Sequence, residues 1–198
     1  MPNLNFLPDD PNVMKIRHFE IQGKSIYALK PLYVMVHEWL VDKGYECPDY
    51  NNDKFEHLYF QKVLADGALE HWIWWRAERI PEHGSSYFKY FVKFDIQTIY
   101  MQSTDIVVDG EKTKVNKGET VFKFGFYLMM DQDRRFRNHK YLNLVHNWFK
   151  NKIYKRQIDW HEEFLTQEAY ELHSRIKQFL KIKTAEEIPK HFYPERGL

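Results

Sequence analysis

Two periodicities divide the chain. Through its middle, apolar and polar residues alternate; toward its C-terminus, apolar residues recur at helical spacing. In "SYFKYFVKFDIQTIYM" (86–101), Phe88, Tyr90, Val92, Phe94, Ile96 and Tyr100 fall on one face of a strand, and Lys89, Lys93, Asp95 and Gln97 on the other. "ETVFKFGFYLMMD" (119–131) repeats the pattern through Phe122, Phe124, Phe126, Leu128 and Met130. Residues 55–65 and 68–80 flank Asp66-Gly67, which predicts a hairpin with a two-residue turn. Asp109-Gly110 predicts a second, small hairpin, and Asn116-Lys117-Gly118 a break before the next strand. Near the start, "KIRHFEIQGKSIYAL" (15–29) reads as two short strands turning at Gly23-Lys24, with a first helix alone from about Ser25 as the competing reading.

Helices bracket the strands. Pro31 suits a first helical turn, Gly44 suits a stop, and Leu32, Met35, Val36, Trp39 and Leu40 share one side between them. Residues 134–156 predict a second helix. Residues 157–181 predict a longer one, with Ile158, Leu165, Leu172 and Phe179 seven apart and Ala169 and Ile176 filling the stripe. The companion positions His161, Glu168 and Arg175 are polar, which argues for a helix lying on a sheet rather than a coiled coil. The expected fold is α+β: a curved antiparallel meander with one N-terminal helix and two C-terminal helices, the last long. Residues 14–188 form one domain, between an arm (1–13) and a tail (189–198).

That order of elements resembles the helix-grip arrangement of START and Bet v 1-like domains. The resemblance implies a sheet gripping the long helix over a cavity. The chain departs from it by an extra helix before the long one and by a single helix after the first strands. "GALEHWIWWR" and "VVDGEKTKVNKGE" are similar to stretches of uncharacterised archaeal proteins, a resemblance that brings no activity with it.

Composition adds an excess of aromatics: 17%, within an otherwise ordinary 43% hydrophobic and 29% charged residues. Three of the six tryptophans lie in "EHWIWWRAERIP" (70–81). A two-residue turn at Asp66-Gly67 pairs Leu58 with Trp75 and Tyr59 with Trp74. Trp75 then joins the core. Trp72 and Trp74 share the opposite face with Tyr59, His57, Gln61, Glu70 and Arg76. That face has three readings: packing beneath the protein's own helices, a protein–protein or self-association surface, or a platform for a small apolar or aromatic ligand.

The net charge of +1 hides an asymmetry. Residues 1–133 carry a balance of −5 and residues 134–198 one of +6. Arg134, Arg135, Arg137, Lys140, Lys150, Lys152, Lys155 and Arg156 stand in one stretch without an acidic residue, interleaved with Phe136, Tyr141, Trp148, Phe149 and Tyr154. Such a helix could meet phosphates, lie peripherally on an anionic membrane, or complement the acidic remainder of a neighbouring copy. A whole-chain charge near zero argues against nucleic acid.

Sites for chemistry are scarce. The chain has no Gly-rich phosphate loop, no nucleophile elbow and no H-E-x-x-H motif. The ten histidines lack ligand spacing, and the lone Cys47 excludes an intramolecular disulfide. No apolar run approaches the roughly 18 residues of a membrane span. The expectation is a cytoplasmic, non-enzymatic interaction protein without metal or cofactor, self-associating or bound to another protein. The alternatives are a helix-grip pocket for an apolar molecule or lipid, then nucleic-acid or membrane binding through residues 134–156.

Overall fold

The computed structural model describes residues 12–27, 29–48, 54–81, 87–108, 111–131 and 133–180. The expected arm and tail, and the turn at Asp109-Gly110, lie outside them, apart from Asn12 and Val13. Five strands form one open antiparallel sheet: β1 (Val13–Tyr27), β2 (Glu56–Val63), β3 (Leu69–Arg79), β4 (Phe88–Val108) and β5 (Glu111–Met130), in spatial order β1-β5-β4-β3-β2. Helix α1 (Leu29–Asp42) connects β1 to the meander. After β5 come α2 (Arg135–Asn138), α3 (Lys140–Trp148), a π-helical turn over Phe149–Ile153, and α4 (Lys155–Phe179). The architecture is the expected α+β. The helix expected over 134–156 is broken into three pieces.

One face of the sheet carries the core. Phe88, Tyr90, Val92, Phe94 and Ile96 of β4 stand beside Phe122, Phe124, Phe126 and Leu128 of β5, all at most 2% exposed. α1 lays Leu32, Val36, Trp39 and Leu40 on this face, and α4 lays Leu165, Ala169, Leu172 and Ile176 on it. Alternation along the strands and the stripes of two helices therefore meet in one aromatic layer. Gly44, at φ +72°, ends the turn after α1, a conformation glycine adopts without steric cost. Toward one end of the sheet the core face turns polar. Thr98 and Thr120 are buried beside His71, whose ring nitrogen lies 2.7 Å from the Thr98 hydroxyl.

Three expectations about strands need correction. Residues 15–27 do not turn at Gly23-Lys24. β1 runs straight through them, held by β5 along its whole length, with Gly23 opposite Thr120 and Lys24 opposite Glu119. The strands on either side of the expected second turn do not form a small separate hairpin but belong to one long β4–β5 pairing, whose last described pair is Val108–Glu111. Asn116-Lys117-Gly118 does not break β5. There β4 bulges between Ile99 and Gln102. A side chain at Gly118 would stand 2.9 Å from the Met101 Cα, so the backbones meet where only glycine fits. The bulge turns Tyr100 out of the core to hydrogen-bond Asp66, and Met101 takes the buried place.

Candidate functional site

The face opposite the helices holds the tryptophan segment. The β2–β3 turn is one residue longer than expected. Leu64 N–H donates to the Ala68 carbonyl at 2.8 Å, and Gly67, at φ +83°, donates to Leu64 at 3.0 Å. That closes a three-residue loop and slips the register by one. Leu58 faces Trp74, Tyr59 faces Ile73, and Phe60 faces Trp72. Tyr59 therefore does not share a face with Trp72 and Trp74. It lies on the core side at the sheet edge, its ring 6.1 Å from that of His71. Phe60 and Leu58 take its place, the Phe60 and Trp72 rings 5.4 Å apart. Trp75 is buried in the core, in edge contact with Tyr33 at 4.4 Å.

The expected cluster of His57, Tyr59, Glu70 and Arg76 is thus split. His57 sits where β2 shifts register against β3. Arg76 stays on the outer face, paired with Asp95 at 2.7 Å and lying 6.0 Å from the Trp74 ring. No helix among the described residues covers the aromatic corner. Phe60 is 51% exposed and Trp74 45%, and the Trp72 ring is half-buried. Of the three readings, packing beneath the protein's own helices does not describe Trp74. β2 is also the last strand of the sheet. Its ladder alternates outward from the Leu64–Ala68 bond, so the N–H and C=O groups of Tyr59 and Gln61 point away from β3.

A second arrangement escaped the sequence reading. At the end of β3, Arg79 donates to both carboxylate oxygens of Glu168 on α4, at 3.0 and 2.9 Å, and to the Lys43 carbonyl after α1. Tyr45 donates to the same carboxylate at 2.8 Å. The guanidinium lies 4.5 Å from the Tyr45 ring, 5.0 Å from Tyr90 and 5.4 Å from Phe164. Burial, reinforced by the Glu168 carboxylate, holds the Tyr45 hydroxyl well above its ordinary pKa, so it stays a neutral donor. Next to it the Tyr90 hydroxyl meets His161 Nδ1 at 2.5 Å. Burial lowers the His161 pKa to about 4, so the ring is neutral at physiological pH.

These groups border an open cleft of about 740 Å³, lined by Lys43, Glu46, Glu78, Arg79, Tyr90, Trp160 and Phe164 among others. It opens at one end of the sheet–helix layer. Along α4 itself, Leu165, Ala169, Leu172 and Ile176 are fully buried against the core. Arg79 and Glu168 find their charge partners in each other. The network fastens α4, the end of β3 and the turn after α1 together.

The basic stretch is the third feature. α3 is anchored through His146, whose ring lies 2.7 Å from the Tyr87 hydroxyl and stacks on Phe136 at 4.7 Å. Phe149 packs on Phe136 at 5.4 Å. Arg134, Arg135, Lys140, Lys152, Lys155 and Arg156 are exposed, Lys150 is half-buried, and the Arg137 side chain lies outside the described ones. Arg135 pairs with Asp133 at 3.1 Å.

Among the described residues no group of three or more His, Cys, Asp or Glu is placed to hold a metal ion, and Cys47 is buried in the core. No described helix is long and apolar enough to cross a membrane. Fold and surfaces together define an α+β protein with an open sheet, helices on one face and an aromatic corner on the other. No protein-family model matches the chain, and no curated protein matches it in sequence.

Proposed function

We propose that the chain is a non-catalytic assembly subunit that pairs with a second copy of itself through the β2 edge and the aromatic corner beside it. The observation that carries this reading is the exposure of Phe60 and Trp74 next to a strand whose outward backbone groups have no sheet neighbour among the described residues. Aromatic side chains of this size dominate the energetics of interfaces. An edge strand is itself a template for another strand.

The aromatic corner selects the register. An antiparallel β2–β2 pairing centred on Tyr59 sets Leu58 of each copy against Phe60 of the other, both on the outer face. In that register the outward groups of the two Tyr59 residues face each other, and the Trp72 and Trp74 corners join into one patch across the two-fold axis. The bulge at His57 limits the pairing to a short stretch, which favours a closed pair over open-ended stacking.

Sedimentation velocity tests the reading. The natural chain sediments at twice the chain mass. Phe60→Glu combined with Trp74→Ala sediments as a monomer with an unchanged circular dichroism spectrum. Gln61→Pro removes an N–H that points away from β3 and also yields monomer. A natural chain that stays monomeric at all concentrations, or a dimer indifferent to both variants, overturns the proposal.

A further inference from the structure

The segment after β5 presents a second surface, independent of the β2 edge. α3 is amphipathic, and its described side chains divide between a side held to the protein and an exposed one. His146 and Phe149 hold it to Tyr87 and Phe136, while Tyr141, Val145 and Trp148 line another side and are exposed, Tyr141 at 71% and Trp148 at 57%. Residues 141, 145 and 148 recur at helical spacing, so they form one stripe. The π-helical turn that follows leaves Ile153 half exposed. Basic residues bracket the stripe at both ends: Arg134, Arg135 and Lys140 before it, Lys152, Lys155 and Arg156 after it.

We infer that this face docks on an anionic lipid surface, with Tyr141, Val145, Trp148 and Ile153 seated among the headgroups and acyl-chain boundary and the flanking lysines and arginines on the phosphates. An exposed apolar stripe on a short helix, framed by cations and free of acidic residues from 134 to 156, is the composition of a helix that lies in a membrane interface. Trp and Tyr favour that depth because each joins an apolar body to a polar tip. The aliphatic members decide between the two polyanions that could complement the charge. A single-stranded nucleic acid stacks on aromatic rings in a groove. It gains nothing from Val145 and Ile153, whereas acyl chains do.

The test is flotation of the purified full chain with vesicles. The chain floats with vesicles of phosphatidylcholine containing about a third phosphatidylglycerol, and floats less with pure phosphatidylcholine. Trp148→Ala with Ile153→Ala lowers binding by about tenfold or more, the scale of burying such side chains. Lys152→Glu with Lys155→Glu lowers it by at least about fivefold for each charge and flattens its dependence on salt. Both variants alter exposed side chains, and circular dichroism checks that they fold. No flotation with anionic vesicles at low salt overturns the inference. So does flotation that neither variant weakens. So does a chain that binds an oligouridylate RNA but no vesicle, which transfers the surface to nucleic acid.

Discussion

Acidification singles out one residue of the helix–sheet joint. His161 projects from α4 onto β4, 3% exposed, with its ring 4.4 Å from Phe88 and its Nδ1 in hydrogen-bond contact with the Tyr90 hydroxyl. Burial depresses its pKa from 6.5 to about 4. A depressed value means that the unfolded chain takes up a proton first. The stability this ring contributes is complete above its unfolded pKa and is lost as the pH falls toward the folded one. Linkage over that window gives a loss of up to about 2 kcal/mol between about pH 7.5 and pH 5, and about 3 kcal/mol below about pH 4. His161→Asn keeps an amide oxygen near the Nδ1 position for Tyr90 and removes the titration. Urea unfolding at the two pH values measures both proteins. The natural chain loses that stability on acidification, and His161→Asn loses about 2 kcal/mol less. His71 and His18, also lowered chiefly by burial, titrate in both proteins and cancel in the comparison. Equal losses in the two proteins would refute the reasoning.

Further expectations concern the joint and the tryptophans. Glu168→Ala leaves Arg79 charged, 15% exposed and without its carboxylate, and costs about 3–5 kcal/mol in urea unfolding, whereas Arg79→Met with Glu168→Leu together recovers most of that loss. Trp75→Ala opens a cavity in the core and costs about 3–5 kcal/mol, while Trp74→Ala, on the outer face, stays within about 1 kcal/mol in the monomeric Gln61→Pro background.

Local patterns were legible where local physics decides. The stripe of α1, the alternation of β4 and β5 and the burial of Trp75 follow from period alone. The outer corner did not, because a single residue governs it. Gly67 supplies a positive φ equally to a two-residue and a three-residue loop, and the choice between them moves Tyr59 to the other face and brings in Phe60. Gly23 looked like a turn because a glycine between short apolar runs favours one. Pairing with β5, almost a hundred residues away in sequence, keeps the strand extended there. The Arg79–Glu168 pair joins residues 89 apart. Its one trace in the sequence was the placing of His161 and Glu168 on the buried stripe of α4, where polar groups persist only with partners. The basic stretch was legible in charge. That α3 turns an apolar stripe outward depended on which side His146 anchors, and the pattern alone does not say which side is held.

Amide hydrogen exchange of β2 addresses the pairing most directly. The N–H groups of Leu58, Phe60 and Lys62 point toward β3 and exchange slowly in any state of assembly, which makes them an internal reference. Those of Tyr59 and Gln61 point outward. Pairing with a second copy predicts that they too exchange slowly, that their protection grows with protein concentration, and that Phe60→Glu with Trp74→Ala abolishes it. Exchange at Tyr59 and Gln61 at the rate of free amides, at every concentration and beside a protected Phe60, would contradict the proposed assembly.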